Sequence, residues 1–247
     1  MNEGYEEITQ STTEPVMREI TLTNIMIAVV IIIYVVTEFK GDTGDAEFMY
    51  KCGALWTPDV IENGQYYRLL SAVFLHFGAE HLFGNVLLWY FMGNILERAM
   101  GKIRYFILFM LTGICGNAAT ILWEMHTGDF AVSAGASGAI FGILGALLLI
   151  VICHKGHYEY MSLKRLLFFV GLSLAIGYET AGVNYVAHAA GLVSGFLLAA
   201  IIYIPLKRYS SLAFGGRKNY TKENLNQRYN INKQKGVNVT WAKIVDC

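Results

Sequence analysis

The stretch Phe130–Cys153, FAVSAGASGAIFGILGALLLIVIC, runs for 24 residues without Asp, Glu, Lys or Arg and carries a serine between small residues near its start. A helix needs about 20 mostly apolar residues to cross the hydrocarbon core of a bilayer, so this run reads as a membrane span. Five more charge-free runs accompany it: Ile20–Thr37, His81–Leu96, Tyr105–Trp123, Leu166–Tyr178 and Thr180–Leu206. Leu166–Tyr178 is short, but Lys164 and Arg165 are placed to snorkel at one end and Tyr178 to anchor the other. The six runs predict an all-α polytopic membrane protein, a six-transmembrane-helix bundle. Its first external loop, from Glu38 to Gly78, is long and mixes acids with Trp56, Tyr66, Tyr67, Leu69 and Leu70, so it is expected to lie partly in the interface.

Composition agrees. Of 247 residues 55% are hydrophobic and 15% charged, where soluble domains carry about a quarter charged residues. Nineteen bases balance nineteen acids, which leaves no basic field to attract nucleic acid. Cys52, Cys115, Cys153 and Cys247 form no C-x-x-C pair, and none of the histidines stands in an H-E-x-x-H string. No metal and no cofactor are therefore expected.

The bases set an orientation, because Lys and Arg accumulate on the cytoplasmic side. Sixteen of the nineteen fall in the N-terminal tail, the second and fourth connections and the segment after the last run; only Lys40, Lys51 and Arg68 fall on the other face. Both termini are thus expected in the cytoplasm. The chain divides into an acidic N-terminal tail (1–20), a transmembrane domain (21–206) and a basic C-terminal tail (207–247). Five acids against Arg18 ahead of the first run argue for a retained helix over a cleaved signal. The basic tail reads as a solvated segment touching anionic lipid.

The second, fourth and sixth spans then run inward, so their first residues share the outer half of the membrane. Those residues are His81 and Asn85, Ser137 and Gly138, and His188. Polar groups inside a span are costly and are candidates for function. Each has a plainer reading: Ser137 as a small packing residue, His188, His81 and Asn85 as interhelical hydrogen-bonding groups. Together they supply a nucleophile, a base and oxyanion donors, the minimum for acyl transfer. Gly138-x-x-x-Gly142 and Gly191-x-x-x-Gly195 offer two faces on which backbones can approach closely. Packing through them would bring Ser137 toward His188. Phe141 shares the face of Ser137 and is placed either to support the imidazole or to face lipid or core. No acid lies beside His188 in its helix, so the pattern predicts a Ser-His dyad.

The strings His81-Leu-Phe-Gly-Asn85, Gly135-Ala-Ser137-Gly138-Ala-Ile-Phe141-Gly142 and Ala187-His188-Ala-Ala-Gly191-Leu-Val-Ser-Gly195 resemble, in order, the motifs of the rhomboid family of intramembrane serine proteases. The resemblance implies that Ser137 is the nucleophile and His188 the general base. It implies that Asn85, His81 and the Ser137 N–H stabilise the oxyanion, and that Gly135 shapes the site. The substrates it implies are transmembrane segments of membrane proteins in the lipid bilayer, cut at a site that opens to the outside of a bacterial plasma membrane. Tyr67-Arg68 stands where the family commonly has Trp-Arg, and Ala189-Ala190 where a bulkier residue and a glycine are frequent. A rhomboid-like protein that binds membrane helices without cutting them is the alternative; it would need neither Ser137 nor His188.

Overall fold

A computed structural model describes residues 20–179 and 184–214. The two tails beyond them, residues 180–183 at the start of the last run and the side chain of Tyr178 lie outside the described residues. The chain divides into two compact units, one up to Ala200 and one from Ile201; every contact discussed below lies in the first.

Six long helices account for most of the described residues. They are α1 (Leu22–Glu38), α5 (Gly78–Met100), α6 (Lys102–Thr127), α7 (Ser137–Cys153), α8 (Leu163–Glu179) and α9 (Tyr185–Phe214). Three short helices, α2 (Ala46–Lys51), α3 (Thr57–Glu62) and α4 (Arg68–Ser71), followed by a 3₁₀ turn at Ala72–Phe74, fill the first connection. A hairpin of β1 (His157–Tyr158) and β2 (Met161–Ser162) joins α7 to α8, with His157 opposite Ser162 and Tyr158 opposite Met161. Two helices, Lys102–Thr127 and Tyr185–Pro205, are long and apolar enough to cross a membrane by length and composition; α1 and α7 are apolar but have 17 residues each.

Helix α7 is apolar all round, and from Gly138 to Val151 nearly every residue is buried. A helix of that kind belongs at the centre of a bundle. Accordingly α5, α6 and α8 all pack on it. Helix α1 instead buries one stripe, Met26, Ile27 and Val30, against α5 and leaves Ile25, Val29, Ile32 and Val36 exposed.

The helix ends differ from the charge-free runs in an instructive way. The run Phe130–Cys153 is helical only from Ser137. Ahead of it Ser133 and Leu55 exchange backbone hydrogen bonds of 2.8 and 3.0 Å, which hold this segment extended. Helices α5 and α6 run past the charges that bound the sequence runs, because those charges have partners. Glu97, near the end of α5, is 4% exposed. Its carboxylate accepts the N–H of Leu22 (2.8 Å), the N–H of Thr23 (2.8 Å) and the Thr23 hydroxyl (2.7 Å). A helix N-terminus offers unpaired N–H groups and a positive dipole end, and this carboxylate answers both for α1.

The first connection is held by Arg68. Its Nη1 donates to the carbonyls of Tyr50 (2.8 Å) and Ala54 (2.7 Å), Nε donates to Gln65 (2.8 Å), and the guanidinium lies 4.4 Å from the Tyr50 ring centre. Asp59 completes the knot, 3.6 Å from Arg68 Nη2. Hydrogen bonds from Tyr50 and Asn63 hold its carboxyl below the usual carboxylate range.

Replacing Glu97 with Ala leaves two buried donors of Thr23 and the partly buried Leu22 N–H at the start of α1 without their acceptor. The expected loss is about 3 kcal/mol, read as a lowered denaturation midpoint, with Glu97→Gln losing less. An unchanged midpoint in Glu97→Ala would contradict this role.

Candidate active site

Helices α5, α7 and α9 all begin at one end of the first unit, so the motifs at their first turns meet. Gly135 is the pivot. Its φ of +147° favours glycine, and a Cβ there would lie 2.7 Å from Cε1 of His81 and 3.7 Å from Nδ2 of Asn85. Its N–H donates to the Ala72 carbonyl at 2.9 Å. Two residues later Ser137 opens α7.

Helices α7 and α9 touch backbone to backbone. A Cβ on Gly191 would run into the Gly138 carbonyl oxygen, one on Gly195 into that of Gly142, and one on Gly145 into that of Leu192. His188 sits one turn before Gly191, and its ring stacks on Phe141 with centres 4.3 Å apart and planes 11° from parallel. Phe141 is buried. Among the described residues no hydrogen bond joins Ser137 to His188. The His188 Nδ1 and the Asn85 Nδ2 are both buried without a protein partner.

Several residues that shape this end carry no signal in the charge-free scan. Asn184 caps α9: its Oδ1 accepts the Ala187 N–H at 2.9 Å, while its Nδ2 donates to Thr120 of α6 at 2.8 Å. Glu124 of α6 accepts the Thr57 hydroxyl and the Ala131 N–H, tying the first connection to the α6–α7 loop. His76 precedes α5, is 2% exposed and packs edge-on against His81 with ring centres 5.3 Å apart. Its Nε2 accepts the N–H of Ala136, the residue before Ser137, at 3.3 Å. A histidine five positions ahead of His81 was the available hint, but its partner lies 60 residues away.

Burial, and then the nearby His81, push the His76 pKa down to about 3. The ring is therefore neutral at physiological pH, as an accepting nitrogen requires. Because the unfolded chain takes up this proton near 6.5, the folded state loses stability as pH falls from there toward 3. His76→Phe keeps a ring but leaves the Ala136 N–H unpaired. It is expected to cost about 1–3 kcal/mol near neutral pH and to flatten the acid loss over that window. Thermal unfolding between pH 4 and pH 8 measures both, and a variant curve parallel to wild type would refute the assignment.

Compared with known proteins, the chain matches the family model described as Rhomboid domain over residues 63–205, which includes His76, His81, Asn85, Ser137 and His188. It is 30% identical to Rhomboid protease GluP of Bacillus subtilis over 80% of this chain and 37% of that protein. It is 34% identical to RHOMBOID-like protein 1 of Arabidopsis thaliana over 62% of this chain and 39% of that protein. With the putative rhomboid protease YdcA of Bacillus subtilis it shares 32% identity over 56% of this chain and 68% of that protein. The chain thus spans little more than a third of the length of the first two relatives. The shared motifs, their order and the extent of the match agree: the chain belongs to the rhomboid family of multi-pass integral membrane proteins.

Proposed function

We propose that this chain is an intramembrane serine protease that hydrolyses peptide bonds in or near transmembrane segments of membrane proteins by a Ser137–His188 dyad. The observation that carries the reading is the interlock of α7 with α9, which sets Ser137 and the Phe141-stacked His188 on contacting turns of two helices. Two relatives named as rhomboid proteases support it. All six long helices are read as spans with both termini in the cytoplasm, consistent with the distribution of bases. The site then opens on the outer side, and a bacterial plasma membrane is the expected setting.

In this mechanism a substrate helix unwinds locally, since a helical carbonyl is shielded by its own hydrogen bonds. Ser137 Oγ attacks that carbonyl while His188 accepts the hydroxyl proton. The oxyanion is met by the Ser137 N–H, the otherwise unpartnered Asn85 Nδ2 and His81. His188 returns the proton to the leaving amine. Water, activated by the same imidazole, then releases the acyl chain and restores Ser137. Among the described residues no carboxylate is hydrogen-bonded to His188, and the stack on Phe141 orients its ring.

Cleavage of a model transmembrane substrate in proteoliposomes tests the reading. Ser137→Ala is expected to give no product, and Asn85→Ala about 10²–10³ less than wild type at equal folded amounts. Equal product from wild type and Ser137→Ala would overturn the dyad, and substrate retained uncut by wild type would favour the helix-binding alternative. Phe141→Leu is expected to lower kcat about three- to tenfold, the worth of one aromatic stack, with KM unchanged and Phe141→Tyr close to wild type. A change confined to KM would remove Phe141 from orientation of the imidazole.

A further inference from the structure

From about 8 to about 20 Å along α5 from Asn85, at 1.5 Å per residue, α1 and α5 border a cleft of about 380 Å³, within the size range of small-ligand sites. Its walls change character with depth. Tyr90 and Phe91 line the part toward the middle of α5, and Thr21, Asn24, Asn94, Ile95, Arg98 and Tyr160 line the part at its end. Such an order, apolar toward the bilayer centre and polar toward its surface, is the order of a phospholipid.

The polar end also holds donors that the protein leaves unused. Arg98 gives Nε and Nη2 to the Glu159 carboxylate at 3.1 and 2.6 Å, so among the described residues its Nη1 N–H groups have no protein partner. Asn94 donates to Asn24 Oδ1 at 3.4 Å and to the Tyr90 carbonyl at 2.6 Å, which leaves the Asn24 amide N–H groups free among the described residues. Tyr160, on the β-hairpin turn, is 82% exposed, the exposure of an interfacial aromatic anchor.

We propose that this cleft binds one glycerophospholipid. Its phosphodiester takes hydrogen bonds from Arg98 Nη1 and the Asn24 amide, and one acyl chain lies along the exposed faces of Tyr90 and Phe91. A guanidinium presents N–H groups on more than one edge, so Glu159 holds one edge while phosphate meets another. The same carboxylate offsets the charge of Arg98. Recognition therefore rests on the phosphodiester shared by zwitterionic and anionic lipids, with no demand for a net negative headgroup.

The test uses the full chain in non-ionic detergent, with binding followed by native mass spectrometry and calorimetry. The probes are dioctanoyl phosphatidylethanolamine, dioctanoyl phosphatidylglycerol, dioctanoylglycerol without phosphate, and glycerol phosphate without chains. Both phospholipids are expected to bind one per chain with similar affinity, about tenfold tighter than dioctanoylglycerol, and glycerol phosphate is expected not to bind measurably. Arg98→Gln and Asn24→Leu are each expected to weaken phospholipid binding about tenfold, the worth of one charge-assisted hydrogen bond. Asn24→Leu leaves the Arg98–Glu159 pair intact, so its effect is independent of any disturbance of the hairpin. Lys102→Gln, at an exposed base outside the cleft lining, is expected to change nothing. Three results would each overturn the site: dioctanoylglycerol binding as tightly as the phospholipids, unaltered binding by folded Asn24→Leu, or binding of phosphatidylglycerol alone that Lys102→Gln weakens as much as Arg98→Gln.

Discussion

The contact between the backbones of α7 and α9 is the constraint on which the rest of this structure depends. In a bilayer, helices gain little by hiding apolar side chains from lipid, and association falls to close van der Waals packing and hydrogen bonds. Glycine at 145, 191 and 195 removes the side chains that would keep the two axes apart, while a Cβ on Gly142 would instead run into Thr112 of α6. The approach is close enough that a single methyl at Gly191 or Gly195 meets a carbonyl oxygen of the other helix. Helix α7 is thereby enclosed on all sides, and Gly138, the residue after Ser137, lies against Ala187, the residue before His188. Phe141 presents its face to the imidazole of His188.

A second set of interactions fixes the loop that leads into Ser137. Gly135 is bound to Ala72, Ala136 to His76, and Ser133 to Leu55, so that each residue before the helix is tied to the first connection. That connection is itself held by the Arg68 knot and by Glu124 beneath it. These polar groups lie among apolar surroundings where an unmade hydrogen bond is expensive. They define one loop geometry because few others would satisfy them all.

The sequence made the helical class, the order of the long helices and the three motif strings legible, since charge-free runs and glycine spacing are local signals. The ends of the helices were less so. Counting charge as a boundary stops α5 before Glu97 and α6 before Glu124, whereas both helices continue because those carboxylates serve groups 75 and 67 residues away. The opposite error occurs at 130–136, which is apolar yet not helical and pairs through Ser133 with a single residue, Leu55. His76 and Asn184 went unread for the same reason: each acts through a hydrogen bond to a distant element, and neither stands in a periodic pattern. Among the described residues two helices are long and apolar enough to cross a membrane, so the reading of all six as spans rests on family membership and on the placement of bases.

The central claim is that the glycine contact sets the nucleophile beside its base. It is tested most directly by covalent labelling of Ser137 with a fluorophosphonate, comparing wild type with Gly191→Ala at equal folded amounts and locating the adduct by peptide mass spectrometry. The methyl forces α7 and α9 apart, and a displacement of about 1 Å at a reacting centre costs about 100-fold. The account predicts a single adduct on Ser137 in wild type, formed about 100-fold more slowly in the variant. Equal labelling rates in the two proteins, or an adduct on another residue, would contradict it.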